Sequence, residues 1–148
     1  MRVRDEVAIV TGAGRGIGKA TALLLAREGA SLALCDIVQE SVESVGKEVE
    51  ALGRQVLIAR VDVTQQAEVA RMVSQTIERF KRIDILVNNA GGAIPDKIAP
   101  FDQSTPEVWH RIIDLNLYGV LNCSRAVISH MVERRSGKIV NLASVAGF

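Results

Sequence analysis

Between Thr11 and Gly18 the chain runs Thr-Gly-Ala-Gly-Arg-Gly-Ile-Gly, with Gly12, Gly14, Gly16 and Gly18 alternating with Ala13, Arg15 and Ile17. Glycines in such a turn let backbone N–H groups, and the positive end of a following helix, face a pyrophosphate with no Cβ in the way. The last of them, Gly18, lets that helix pack closely on the preceding strand. Asp36 follows Gly18 by 18 residues. A carboxylate at that distance accepts hydrogen bonds from the adenosine ribose hydroxyls and repels a 2′-phosphate. Two charges about 5 Å apart at an effective dielectric near 20 interact by roughly 3 kcal/mol. Arg15 works in the opposite sense, as a base in the turn, but Ile37 beside Asp36 supplies no second one. The chemistry is that of a dinucleotide, with NAD favoured over NADP. Two further groups suit the same ligand. Asp62 and Val63 offer an acid to the adenine amino group. Asn88-Asn89-Ala90-Gly91 offers amides that tie neighbouring strands and small residues that leave room for a cofactor.

These groups must be held at strand ends, and the apolar pattern places them there. Val7 to Thr11 is a continuous apolar run, as expected of a strand covered on both faces. A helix is expected from Gly16 to Glu28, with Ile17, Ala20 and Leu24 at helical spacing and Gly29 as its stop. Strands are expected at Ser31 to Asp36, Gln55 to Val63, Ile83 to Asn88 and Lys138 to Ala143. Helices are expected at Gln39 to Leu52, with Val42, Val45 and Val49 on one face, and at Gln66 to Phe80. Asn89 to Ser104, with Gly91, Gly92, Pro95 and Pro100, reads as a loop. Thr105-Pro106-Glu107 has the order of a helix start, with a hydroxyl cap, a proline and then an acid. That helix runs to about Arg135, where Gly137 stops it. Strands and helices alternating in this way predict an α/β, Rossmann-type doubly wound parallel sheet with right-handed crossovers.

The chain's 148 residues, 48% hydrophobic and 24% charged, suffice for one domain with a buried core. A net charge of +1 with scattered basic residues argues against nucleic acid or an anionic membrane as partner. Arg134, Arg135 and Lys138 form the one tight basic group, and a helix C-terminus accounts for it. Arg27, Glu28 and Asp36 interrupt the longest apolar stretches, so no membrane span is expected, and Met1 to Glu6 shows no secretory signal. Cys35 and Cys123 read as two buried thiols of a cytoplasmic protein.

With Thr11 to Gly18, Asp62-Val63 and Asn88 to Gly91 in this spacing, the whole chain resembles the short-chain dehydrogenase/reductase family. The resemblance implies an NAD-dependent oxidoreductase that moves hydride between NAD(H) and a secondary alcohol or ketone. It implies cofactor contacts from Gly12, Gly14, Arg15, Gly16, Ile17, Gly18, Asp36, Asp62, Val63, Asn89, Ala90 and Gly91. In that family an asparagine of the long helix supports a proton relay, and Asn116 matches it; an amide bonded within the helix is the alternative. A serine ending the fifth strand hydrogen-bonds the substrate oxygen and steadies a catalytic tyrosine. Ser144 matches, with a simple turn role as its alternative.

The family's tyrosine and the lysine four residues after it lie downstream of that serine, and the lysine lowers the tyrosine's pKa. The 148 residues contain no such pair, since the one tyrosine, Tyr118, has Asn122 four residues on. One dinucleotide-binding domain, residues 1–148, is therefore expected, incomplete on its C-terminal side. These residues alone are expected to lack activity, and a non-catalytic dinucleotide-binding module is the rival reading. A methyltransferase is disfavoured by Asn88 to Gly91 and by the length of the glycine turn. The fifth strand, with Ile139, Val140 and Leu142, is expected to be an apolar edge that recruits other chains. The helix spanning 105–135, with Val108, Leu115 and Val127, is expected to offer a surface for a homo-oligomer. His110 and His130 lack companion ligands, so no metal site is expected, and Phe101 and Trp109 are expected to pack the helix start.

Overall fold

The computed structural model describes residues 1–93 and 99–144. Within the loop expected at 89–104, residues 94–98, Pro95 among them, lie outside the described residues, as do residues 145–148. Five strands, β1 (Val7–Thr11), β2 (Ser31–Asp36), β3 (Val56–Arg60), β4 (Ile85–Asn88) and β5 (Lys138–Asn141), form one sheet in the order β3-β2-β1-β4-β5. Each pairing is parallel. The helices are α1 (Gly16–Arg27), α2 (Gln39–Ala51), α3 (Gln66–Phe80), α4 (Pro106–Ile113) and α5 (Gly119–Arg134).

Helices on both faces explain the unbroken apolar strands, because every side chain of β1 and β4 is buried. One core joins Ala8, Val10, Leu32 and Leu34 to Ala22, Ala26, Val42, Val45 and Val49 of α1 and α2. The other joins Ile9, Ala33, Cys35 and Leu86 to Val69, Met72 and Val73 of α3 and to Cys123, Val127 and Met131 of α5. Since the sheet turns from β1 to β2 on one side and to β4 on the other, a crevice opens at the C-terminal end of β1.

The face of α1 differs from expectation. Ile17, Ala20 and Leu24 point outward, and Gly18, Ala22 and Ala26 are the residues that face the sheet. Small side chains let the helix axis approach β1, and larger ones at those positions would hold it away. Three strands are shorter than expected. β3 leaves the sheet after Val61, because Asp62 folds over Thr64, its Oδ1 accepting from the Thr64 N–H (2.9 Å) and hydroxyl (2.8 Å). Ile83 is outside β4 because its N–H donates to His130 Nε2 (3.3 Å). β5 stops at Asn141, and Leu142 and Ala143 follow it exposed.

The helix expected from 105 to 135 is divided by a π turn at Asp114–Tyr118. Pro106 opens α4 as expected, but the Thr105 hydroxyl makes no cap; its backbone carbonyl accepts from Val108 and Trp109 instead. At the other end the stop is Arg135 in the left-handed region (φ 52°), with Ser136 N–H donating to Met131 O. Gly137 has a different task, since a Cβ there would strike the Met131 side chain.

Candidate functional site

The glycine turn leaves β1 through Gly12 (φ 62°) and enters α1 through Gly16 (φ 55°), both in the left-handed region that glycine tolerates. Ala13 N–H donates to Cys35 O (3.0 Å) and fixes the turn to β2. From the other side Asn89 Nδ2 donates to Thr11 O (2.9 Å) and Gly12 O (3.0 Å). Thr11 Oγ1 accepts from Asn89 N–H (3.0 Å) and Ala90 N–H (2.9 Å). Thr11 was legible only as part of a motif. Its hydroxyl ties the ends of β1 and β4 together.

Gly12, Gly14 and Gly18 each answer to a different neighbour, and Gly16 to none. A Cβ on Gly12 would lie 2.9 Å from Ala90 Cα, and one on Gly18 would strike the Gly12 carbonyl. A Cβ on Gly16 would meet nothing within 4 Å, so that glycine faces open space. No side chain caps α1 at Arg15, and Arg15 and Ile17 are exposed. The first-turn N–H groups of α1 therefore look into the open crevice, the arrangement that suits a pyrophosphate.

Asp36 ends β2 beside this turn. Its Oδ2 accepts from Gly14 N–H (2.9 Å) and its Oδ1 from Val38 N–H (3.1 Å). A Cβ on Gly14 would sit 2.9 Å from that Oδ2 and 2.8 Å from Ser41 Cβ, which explains why glycine stands there. Asp62 lies at the end of β3 with one carboxylate oxygen engaged by Thr64, as described. Val63 is buried against Gly119, and Asn122 Nδ2 donates to Val63 O (3.0 Å).

At the end of β4 the amides do tie neighbouring elements. Asn88 Nδ2 donates to Asn141 Oδ1 of β5 (2.8 Å) and to Ser124 Oγ of α5 (3.1 Å), and Leu142 N–H donates to Asn88 O (3.0 Å). Ser124 and Asn141 had no signal in the sequence, because nothing in their spacing shows that they converge on Asn88. Asn116 lies within the π turn. Its Oδ1 accepts from Gly92 N–H (2.8 Å), and its Nδ2 donates to Gly92 O (2.9 Å) and Ile112 O (2.9 Å). The bond to Ile112 O is the helix-bonded alternative, and the two bonds to Gly92 add a clamp on the segment after β4 that neither alternative named. A Cβ on Gly91 would lie 2.8 Å from the same Oδ1. Ser144 stands exposed three residues beyond β5. The π turn, a feature common at functional sites, places Asn116 at the same sheet end as the glycine turn.

Among the described residues no group of three or more His, Cys, Asp or Glu side chains could hold a metal ion. Cys35 and Cys123 are buried, which pushes both thiols up, Cys123 to about 12. Neither is a nucleophile at neutral pH. Phe101 and Trp109 stack with ring centroids 5.0 Å apart, and Trp109 Nε1 donates to Ser104 Oγ (2.8 Å). At the opposite end of the sheet, Asp84 accepts from Arg82, Arg134 and Val7 N–H.

The residues present fit a dinucleotide: a cradle that a Cβ would fill, an uncapped helix end, and an acid anchored beside the turn. Comparison with known proteins agrees with that geometry. The family described as short chain dehydrogenase matches residues 6–148. A 3-oxoacyl-(acyl-carrier-protein) reductase of Thermotoga maritima is 40% identical over 147 residues, which are 99% of this chain and 58% of that one. A cis-4-hydroxycyclohexanecarboxylate dehydrogenase of Sinomonas cyclohexanicum is 38% identical over 97% of this chain and 56% of its own. Among solved structures, NAD+-bound xylitol dehydrogenase superposes with a TM-score of 0.93 at 36% identity, covering 99% of this chain and 56% of that one. The chain thus spans a little over half the length of the relatives it matches.

Proposed function

Since this chain belongs to the short-chain dehydrogenase family, we propose that it forms the cofactor-binding part of an oxidoreductase that transfers hydride between NAD(H) and a secondary alcohol or ketone. The observation that carries this reading is the glycine turn closed onto Asp36 by the Gly14 N–H. Bound in the crevice, the nicotinamide would accept or donate the hydride. The chain's own residues do the rest of the work. The first turn of α1 receives the pyrophosphate, Asp36 receives the ribose hydroxyls, and Ala90 and Gly91 leave room above β4. Val63 and Asp62 flank the adenine. Asn116 holds the segment after β4 in place, and Ser144 hydrogen-bonds the substrate oxygen.

NADH is expected to bind about tenfold more tightly than NADPH, because a 2′-phosphate would approach the Asp36 carboxylate. Fluorescence titration with both cofactors measures this, and Asp36→Ala should bring the two affinities together. Tighter NADPH binding by the unaltered chain would refute the assignment.

The second reading is a binding module without catalysis. Within these 148 residues the one tyrosine, Tyr118, is followed four residues on by Asn122, whose amide donates to Val63 O. Residues 1–148 alone are expected to bind NADH without turning over alcohols or ketones, for want of a proton donor active near pH 7. In a protein that also carries the Tyr-x-x-x-Lys pair, Ser144→Ala should depress turnover far more than cofactor affinity. Equal effects on both would favour the module.

The buried thiols suit a reducing, cytoplasmic setting. Among the described residues no helix is long and apolar enough to cross a membrane, and neither membrane nor nucleic acid is part of the proposal. A second copy of the chain is. Of the helix residues expected to meet it, Val108 and Val127 are buried and Leu115 packs on the core, so they are not the surface. Trp109, Ile113, Leu117 and Leu121 are exposed at intervals of one turn and would be. The outer edge of β5, with Val140 exposed, adds to the tendency. Sedimentation over a concentration series reads the assembly, and a monomer throughout would exclude it.

A further inference from the structure

Asp36 has a neighbour of opposite charge that no motif points to. In the β2–β3 pairing the register places Arg60 directly beside Asp36. Residues paired in a parallel ladder project to the same face. The cores confirm the parity: Leu34 and Ile58 pack in the core under α1 and α2, and Cys35 and Ala59 in the other. Asp36 and Arg60 therefore both belong to the α2 side of the sheet, at the end where the glycine turn lies.

The two charges are not spent on one another. Both carboxylate oxygens of Asp36 already receive backbone N–H groups, from Gly14 and Val38. The Arg60 side chain is exposed and makes no hydrogen bond or ion pair among the described residues. The Arg15 guanidinium, exposed in the turn, likewise has no partner among the described residues. Strands lie about 4.8 Å apart, so a guanidinium on its long stem reaches the space beside the Asp36 carboxylate. That space is where a 2′-phosphate on the adenosine ribose would have to go.

Building on the dinucleotide reading, we infer that Arg60 is a second determinant of cofactor choice, a cation that receives the adenosine 2′-phosphate which Asp36 repels. The two residues act in opposite directions on one group. Asp36 sets the preference for the unphosphorylated ribose, and Arg60 limits its extent, so NADP(H) is a weaker second cofactor rather than an excluded one. A guanidinium suits this task because it can grip two phosphate oxygens at once.

The test is displacement of bound NADH by 2′,5′-ADP and by 5′-AMP, in the unaltered chain and in Arg60→Ala and Arg60→Lys. The ratio of the two affinities isolates the 2′-phosphate. In Arg60→Ala that ratio should shift about fivefold against 2′,5′-ADP, the scale of one exposed ion pair, and added salt should shrink the difference. Arg60→Lys should recover part of the ratio, since it keeps the charge and loses the fork. An unchanged ratio in Arg60→Ala, with NADH still bound, overturns the role of Arg60 and leaves the cofactor reading standing. Loss of NADH binding in Arg60→Ala alone also overturns it, because Arg60 would then serve the fold. An unaltered chain that binds no NADH overturns the cofactor reading and this inference together.

Discussion

Gly18→Ala is expected to weaken NADH binding roughly a hundredfold, the upper range of what overpacking a close contact costs. The added methyl would strike the Gly12 carbonyl, which is backbone and cannot swing aside. That carbonyl also accepts from Asn89 Nδ2, so moving it breaks the clamp between the turn and β4. The first-turn N–H groups of α1 then move with it. Gly16→Ala is the informative contrast. It finds open space, and its φ of 55° costs about 1–2 kcal/mol of backbone strain. Titration of both variants with NADH, with circular dichroism as a check on folding, measures the difference. Equal losses would mean that the close contact between Gly18 and Gly12 does not shape the site.

Asp84→Ala should remove about 3 kcal/mol of stability, a large part of what a domain of this size possesses. Asp84 is buried at the N-terminal end of β4 and gathers Arg82 (2.6 Å), Arg134 (3.0 Å) and Val7 N–H (2.9 Å), tying β1, β4 and α5 together. The substitution would leave the Arg134 guanidinium half-covered without its anion; Arg82, more exposed, is screened by water and suffers less. Burial pushes the Asp84 carboxyl up, but hydrogen bonds from Arg82, Val7 N–H and Arg134 outweigh it and hold the group below the ordinary carboxylate range. The folded state therefore binds this proton less readily than the unfolded chain does. Its contribution is fully present above about pH 4 and is lost as pH falls through the depressed value. Urea unfolding of the two proteins at pH 7 and at successively lower pH should show a gap at the first that narrows as the pH falls below about 4. A gap that persists in acid would assign the loss to packing instead of charge.

Much of this architecture was legible because the periodicity of the strands and the glycine turn report the same thing. The apolar run at Val7 to Thr11 and the helix carrying Val42, Val45 and Val49 appear where their spacing puts them. Helix α1 was read with the wrong face inward, since spacing alone favours large residues such as Ile17 and Leu24. The packing instead selects Gly18, Ala22 and Ala26, and the reason, close approach to a sheet, is a property of two elements rather than one. The π turn left no trace, because Asp114 to Tyr118 differs from its helical surroundings only in hydrogen-bond register. In the candidate site, residues inside motifs were legible as candidates and residues that converge from separate elements were not. Asn88, Ser124 and Asn141 meet across β4, α5 and β5. Arg60 acquires meaning only from the register that sets it beside Asp36.

The placement of the two cysteines has a use beyond packing. Cys35 sits in β2 and Cys123 in α5, the helix that packs on β4, both within the same core. With their thiols sealed in apolar surroundings, neither can meet an alkylating reagent while the helix lies on the sheet. Their rates of labelling therefore time two kinds of opening in the native protein. Modification of Cys123 ahead of Cys35 marks the helix peeling away from an intact sheet. Modification of both at one rate marks the whole molecule coming apart as a single cooperative unit.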